Sequence, residues 1–191
     1  TLILDIHDAK TNKLVWRGTV SNDVNVNRAL DEVKLQQAVD KLLLNEEGGQ
    51  APETIRVESP AFADGGAIPV RFTADGEGTS PPLSWSNLPE GTKQVLVVVE
   101  DPDILAPQPF IHLIAVFDAA VTSVGEGGLK DGSSLARLGK HSMGGVGWLP
   151  NDPPPGHGPH HYLFQVFALN RVVDWDDKPG KDEVKTAIVK S

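Results

Sequence analysis

Apolar residues follow two rhythms along this chain. Leu2, Leu4 and Ile6 alternate with polar neighbours, as do Leu14, Trp16 and Val20, and the polar run Asp8–Lys13 lies between them. That period of two around a polar turn predicts a β-hairpin over residues 1–20. Leu30, Val33, Ala38, Val39, Leu42 and Leu43 recur near helical spacing instead. They predict an amphipathic helix over 28–45, with Asn27 as N-cap and Gly48-Gly49 as its stop. A hairpin and one helix make a small core, so residues 1–47 read as a partial domain or docking segment. Residues 48–52, closing the polar, glycine-rich run Glu46–Pro52, are the predicted linker.

From Glu53 the period of two returns. Thr54–Val57, Ile68–Phe72, Val95–Val99, Ile111–Phe117 and Tyr162–Leu169 are strand-like runs. Asp64-Gly65-Gly66, Asp75-Gly76 and Glu90-Gly91 are turn signals between some of them, and long loops fill 118–159. Short strands separated by turns predict antiparallel β packing. Val95–Val99, the longest apolar run, reads as a buried strand. Asp182–Lys190 predicts a short helix, and no internal repeat is visible. The predicted fold is therefore mainly β, an antiparallel β-sandwich-like core with short peripheral helices over 53–191, preceded by the hairpin and helix.

Composition narrows the function. The net charge is −9 and the Lys and Arg residues form no basic run. Nucleic acid, which needs a positive footprint, is not expected as a partner, and anionic membrane surfaces are disfavoured for the same reason. With no cysteine there is neither a disulfide nor a thiolate metal site. No apolar run approaches the ~20 residues of a membrane-spanning helix. The chain opens at Thr1 without a signal peptide and reads as a processed or partial product. A bacterial periplasm and a reducing cytoplasm suit it equally.

Candidate chemistry gathers in two Pro-rich loops. The first carries Asp101-Pro102-Asp103 and then Phe110-Ile111-His112; the second runs Pro153-Pro154-Pro155-Gly156-His157-Gly158-Pro159-His160-His161-Tyr162. Stiff loops lose little entropy on ordering around a ligand. Histidine and tyrosine supply N–H and O–H donors to an anion, and a histidine can gain a proton when the anion arrives. Asp101 repels an anion directly, but it makes sense as the acceptor that fixes a histidine tautomer.

Taken one at a time, these residues have blander readings. A lone strand histidine such as His112 is ordinarily structural, and Tyr162 alone reads as a core aromatic. Asp103 is expected to be a turn residue beside Pro102, and Pro153–Pro155 alone a stiff loop. Other chemistries fit less well. His157, His160 and His161 lack the helical H-E-x-x-H pattern of a zinc protease, because Gly158 and Pro159 oppose a helix. Opportunistic zinc would have to use His160, His112 and Asp101. Ser142, in Lys140-His141-Ser142-Met143-Gly144, lacks one glycine of G-x-S-x-G. Gly139-Lys140 lacks the flanking residues of a P-loop.

The order of motifs over 59–169 resembles the phosphatidylethanolamine-binding protein family, in particular its bacterial branch. Ser80-Pro81-Pro82-Leu83-Ser84-Trp85 is similar to that family's S-P-x-L-x-W signature. Glu100-Asp101-Pro102-Asp103, with Pro107-x-Pro109-Phe110-x-His112, is similar to its first central motif. Pro153-Pro154, with Gly158-Pro159-His160-His161-Tyr162-Leu163-Phe164, is similar to its second, G-x-H-R-Y-x-F. The resemblance implies two antiparallel sheets and a pocket for a small anion, such as a phosphate or a phospholipid head group. It places Asp101, His112, Pro153, Pro154, His160 and Tyr162 at that pocket, and implies regulation of a kinase or protease partner. Three departures stand out. Ile104-Leu105-Ala106 lengthens the D-P-D-A-P loop, His161 replaces an arginine, and the chain stops at Ser191 before the family's closing segment. Residues 4–18 weakly resemble the end of an uncharacterised domain of bacterial lipoproteins.

The function expected is a non-enzymatic, cofactor-free binding module for a phosphate-like or carboxylate-like group. The alternatives are a hydrolase using an Asp–His general base, or a structural fusion whose pocket is vestigial.

Overall fold

The computed structural model describes residues 2–7, 14–20, 55–106, 108–156, 158–175 and 178–189. The predicted helix over 28–45, the linker, Pro107 and His157 lie outside these residues. The chain divides into two units, 1–52 and 53–191. In the first, β1 (Leu2–His7) pairs antiparallel with β2 (Leu14–Val20), from Leu2 opposite Val20 to His7 opposite Leu14. This is the predicted hairpin.

The second unit is a two-sheet β structure. One sheet joins β3 (Arg56–Glu58), β4 (Leu83–Ser86) and β7 (Ser123–Val124) in the order β3-β4-β7. The other contains β5 (Gln94–Asp101), β6 (Phe110–Asp118), β8 (Arg137–Leu138) and β9 (Leu163–Leu169), ordered β8-β6-β5-β9. Each pairing between these strands is antiparallel. A single helix, α1 (Lys181–Val189), follows β9.

The apolar run 95–99 lies on a central strand that is covered on both faces. Val95, Val97 and Val99 face Leu113, Ala115 and Phe117 of β6, together with Leu83 and Trp85 of the other sheet. Leu96 and Val98 face the opposite way, with Ile114, Val116, Leu169, Val173 and Val184 of α1. A strand buried on both sides loses its polar alternation and reads as continuous valine and leucine. Trp85 ties the sheets together: its ring lies 4.9 Å from Phe117 and its Nε1–H donates to Val121 O at 2.9 Å. The Ser80–Trp85 signature thus serves the framework. Buried Ser80 accepts the Leu129 amide on its hydroxyl and the Gly127 amide on its carbonyl.

Residues 68–72 differ from the predicted strand. Val70–Phe72 forms a 3₁₀ turn after Pro69, whose carbonyl accepts the Phe72 amide at 2.9 Å. Proline has no N–H for a sheet ladder and holds φ at the value a turn requires. Phe72 is nevertheless fully buried, so its apolar side chain serves the core from a turn.

Candidate ligand-binding site

The site lies where β5, β6 and the segment entering β9 end together, and each strand delivers its residue by its own geometry. Along β5 the inward face runs Val95, Val97, Val99, and the next position of that parity is Asp101. Along β9 the inward residues are Phe164 and Val166. Continuing that alternation backwards gives Tyr162 and then His160. On β6 a bulge intervenes: Val99 pairs with Leu113 but Glu100 pairs with Ile111, which leaves His112 without an opposite residue. The extra residue switches the facing, so that Ile111 packs with the outer cluster while Leu113 stays in the inner one. Bulges of this kind re-aim side chains beside functional sites.

His112 is held at both ends of its residue by one neighbour. Its Nδ1 is 2.9 Å from the Leu149 carbonyl, and its own carbonyl accepts the Leu149 amide at 2.9 Å. A carbonyl only accepts, so Nδ1 carries the hydrogen and the neutral ring keeps its lone pair on Nε2. Burial holds the His112 pKa below the ordinary value; the Leu149 carbonyl and the Asp101 charge oppose that shift, and His141 adds to it. The ring is enclosed by aromatics. Tyr162 lies edge-on at 5.2 Å, Phe110 at 5.2 Å and Trp148 at 6.5 Å.

Asp101 bridges the two loops. Its Oδ2 accepts from His160 Nδ1 at 2.6 Å, with both side chains nearly fully buried. Its Oδ1 accepts the Asp103 amide at 2.8 Å. A second pair repeats the pattern at the surface: His161 Nδ1 and the His161 amide both donate to Asp103 Oδ2, at 2.6 and 2.7 Å. Desolvation raises the Asp103 carboxyl, but the His161 hydrogen bonds and the charges of His161 and His160 outweigh it and hold the pKa below the usual value. Asp103 therefore does more than turn the chain beside Pro102, because it clamps the first loop to the second.

Pro153, Pro159, His160, His161 and Tyr162 line a cleft of about 1770 Å³, whose far wall is built from 55–68 and 82–84. Closed small-molecule pockets are about 300–1,000 Å³, so this is an open groove. Asp101 and His112 stand one contact behind the lining, touching His160 and Tyr162 respectively. Pro154 is exposed and lies outside the described lining. Among the described residues, no group of three His, Asp or Glu is arranged to hold a metal ion, and no helix is long and apolar enough to cross a membrane.

Several buried polar atoms here have no hydrogen-bond partner among the described residues: the Tyr162 hydroxyl, Trp148 Nε1 and both polar atoms of the Asn151 side chain. Such burial costs about 1–3 kcal/mol per group, and unpaired polar groups gathered at one place call for a partner such as a water, an ion or a ligand. Burial, followed by the charges of Asp101, Asp152 and Asp103, pushes the Tyr162 phenol up to about 12. Asn151 and Trp148 escaped the sequence reading. Nothing in the local sequence marks a buried asparagine.

The sequence profile of the Phosphatidylethanolamine-binding protein family matches residues 58–191, well over half of the chain. The chain belongs to the phosphatidylethanolamine-binding protein family. A UPF0098 protein of Pyrococcus horikoshii is 32% identical over 146 residues, 74% of this chain and 72% of that protein. The Mycobacterium tuberculosis protein LppC is 38% identical over 123 residues, 62% of this chain and 57% of LppC. Among solved structures, Escherichia coli YbcL, described as a new member of the mammalian family, superposes with a TM-score of 0.66 at 28% identity. That match covers 71% of this chain and 90% of YbcL. The chain thus spans between just over half and nine-tenths of these relatives.

Seen as a phosphatidylethanolamine-binding protein, its departures from the family pattern gain a geometry. The lengthened stretch Ile104-Leu105-Ala106, in which Ile104 and Leu105 are the added residues, forms a turn closed by Ala106 N to Ile104 O at 2.8 Å, with Leu105 projecting 86% exposed. The lengthening is accommodated outward. His161, where the family pattern has arginine, keeps a pairing with Asp103 but no longer a permanent charge.

Proposed function

We propose that this protein is a binding module for a small anion, a phosphate or phosphoryl head group or a carboxylate, held at the mouth of the cleft by His160 and Tyr162. The observation that carries this reading is the Tyr162 hydroxyl: buried, kept protonated by its surroundings, and without an acceptor among the described residues. An anion supplies that acceptor. Asp101 fixes the orientation and tautomer of His160 through Nδ1, and His160 lines the cleft where the ligand would sit. His112 packs against Tyr162 and adds a second donor only on protonation, because its one neutral N–H is committed to Leu149. Pro153 stiffens the wall, and Pro154, next to it, stiffens the loop from outside. A protein partner, such as a kinase or protease, would recognise the loaded rim.

Calorimetric titration with phosphate and with phosphoethanolamine tests this. Binding should be measurable near neutral pH, weaken as pH rises, and be lost in His160→Ala. Unchanged binding in that variant removes the assignment.

The short Asp101–His160 contact also favours a second reading, a general base acting on water. Turnover across a panel of phosphate and carboxylate esters, abolished by Asp101→Asn, would replace binding with hydrolysis. No turnover in the unaltered protein would dismiss it.

A further inference from the structure

Asn151 is 2% exposed and lines the cleft, and neither its Oδ1 nor its Nδ2 has a hydrogen-bond partner among the described residues. Its backbone is fixed: its carbonyl accepts the Ala74 amide at 3.0 Å, and it bridges Thr73 in parallel register. A carboxamide that is buried, anchored and unpaired on both sides is not explained by the fold. It stands two residues beyond Leu149, which grips His112, and Tyr162 covers His112 from the other loop. Asn151 and Tyr162 line the same cleft, and the charge of Asp152, next in the chain, reaches the Tyr162 phenol.

We propose that Asn151 is a further ligand-binding residue, and that its carboxamide selects a phosphoryl group still carrying a proton over one that carries none. This rests on the anion reading of the same cleft. Nδ2 donates to a phosphoryl oxygen, while Oδ1 only accepts and therefore needs a P–O–H opposite it. The Tyr162 hydroxyl, also without a partner among the described residues, lines the same cleft and can donate to an unprotonated oxygen. The surrounding charge acts in the same direction. The charges of Asp101, Asp152 and Asp103 reach the Tyr162 phenol, with Asp101 and Asp103 paired to His160 and His161, and carboxylates so near disfavour a dianion relative to a monoanion. A phosphate monoester loses its second proton near about pH 6, whereas sulfate has no proton to offer at that pH. The ligand class is therefore a monoanionic phosphate monoester or hydrogen phosphate, and sulfate is discriminated against.

The test is calorimetry of phosphoethanolamine, inorganic phosphate and sulfate at about pH 6, on the unaltered protein, Asn151→Leu and His160→Ala. Phosphate should bind about tenfold or more tightly than sulfate, an amount a hydrogen bond and an avoided mismatch can supply. Asn151→Leu should bring that ratio to within about threefold. Should Asn151→Leu not fold, the side-chain amide resonances of Asn151 in the unaltered protein still decide: they should move on adding phosphate and stay with sulfate. Equal affinities for the two ions, a ratio preserved in Asn151→Leu, or unmoved resonances overturn the selection while the anion reading stands. Binding of neither ion overturns both. Phosphoethanolamine matching inorganic phosphate would assign recognition to the phosphoryl group alone, and a preference for the ester would extend it to the head group; either is compatible with the role of Asn151 only if sulfate is rejected.

Discussion

His160 donates from Nδ1 to Asp101 Oδ2 across 2.6 Å, with both side chains almost wholly removed from solvent. The bond joins loops 59 residues apart, and the same carboxylate closes the Asp101–Asp103 turn through the Asp103 amide. Asp101→Ala strips away both acceptors and leaves two donors unmet, at about 1–3 kcal/mol each. Asp101→Asn keeps an acceptor for one of them and should lose less. Urea denaturation of the two variants checks the order, and equal losses would deny Asp101 its bridging role.

That bridge was legible from sequence in part. Asp101 reads as the acceptor for a histidine because a carboxylate beside two histidine-bearing loops suits such a role, and the period of two places it on the inward face after Val99. The continuous apolar run 95–99 announced a buried strand, and it is the central one. His112 was harder. Its position among strand residues is plain, but the bulge that turns it toward Tyr162 depends on register with β5, which only the pairing reveals. Asn151 left no local signal, because burial of a loop asparagine is decided by the turn at Thr73 docking on it. Pro69 did carry its signal, and the 3₁₀ turn at 70–72 follows from the missing N–H.

The chain contains a single tyrosine, so its ultraviolet titration reports on Tyr162 alone. The folded protein should ionise it near about 12, and the unfolded chain near about 10. A raised folded value means that the unfolded state releases the proton first. The stabilisation is complete below the unfolded value and is lost as pH rises through the folded one. A midpoint near 10 in the folded protein would place the phenol in water and remove the central donor of the site.

His112 works in the opposite direction. Its folded pKa lies below the ordinary 6.5, so the stability it contributes is present above 6.5 and is lost as pH falls through the folded value. His112→Asn keeps an N–H for Leu149 but cannot ionise, so part of the acid-side loss in urea midpoint should disappear. His141, also held low by burial, adds its own slope, so the comparison is between variants at each pH. Phosphate gives the protonated ring a counter-charge, and should raise the midpoint of the unaltered protein more on the acid side than at neutral pH. An acid slope identical in His112→Asn would show that the ring is not the group that ionises.

The surface pair offers the last test. Asp103 is held below its usual pKa chiefly by His161, so its contribution is present above the ordinary carboxylate value and is lost as pH falls through the lowered one. An arginine at position 161 would set a permanent charge and a planar donor fork against Asp103. His161→Arg should therefore tighten phosphate binding. The pair is exposed, with side-chain exposures of 77% and 38%, and exposed ion pairs are worth roughly 0.2–1 kcal/mol. The gain should therefore be at most about fivefold, and added salt should shrink it. Calorimetry at two salt concentrations measures it. A gain well above fivefold would mean that the arginine acts by contact with the ligand rather than through Asp103.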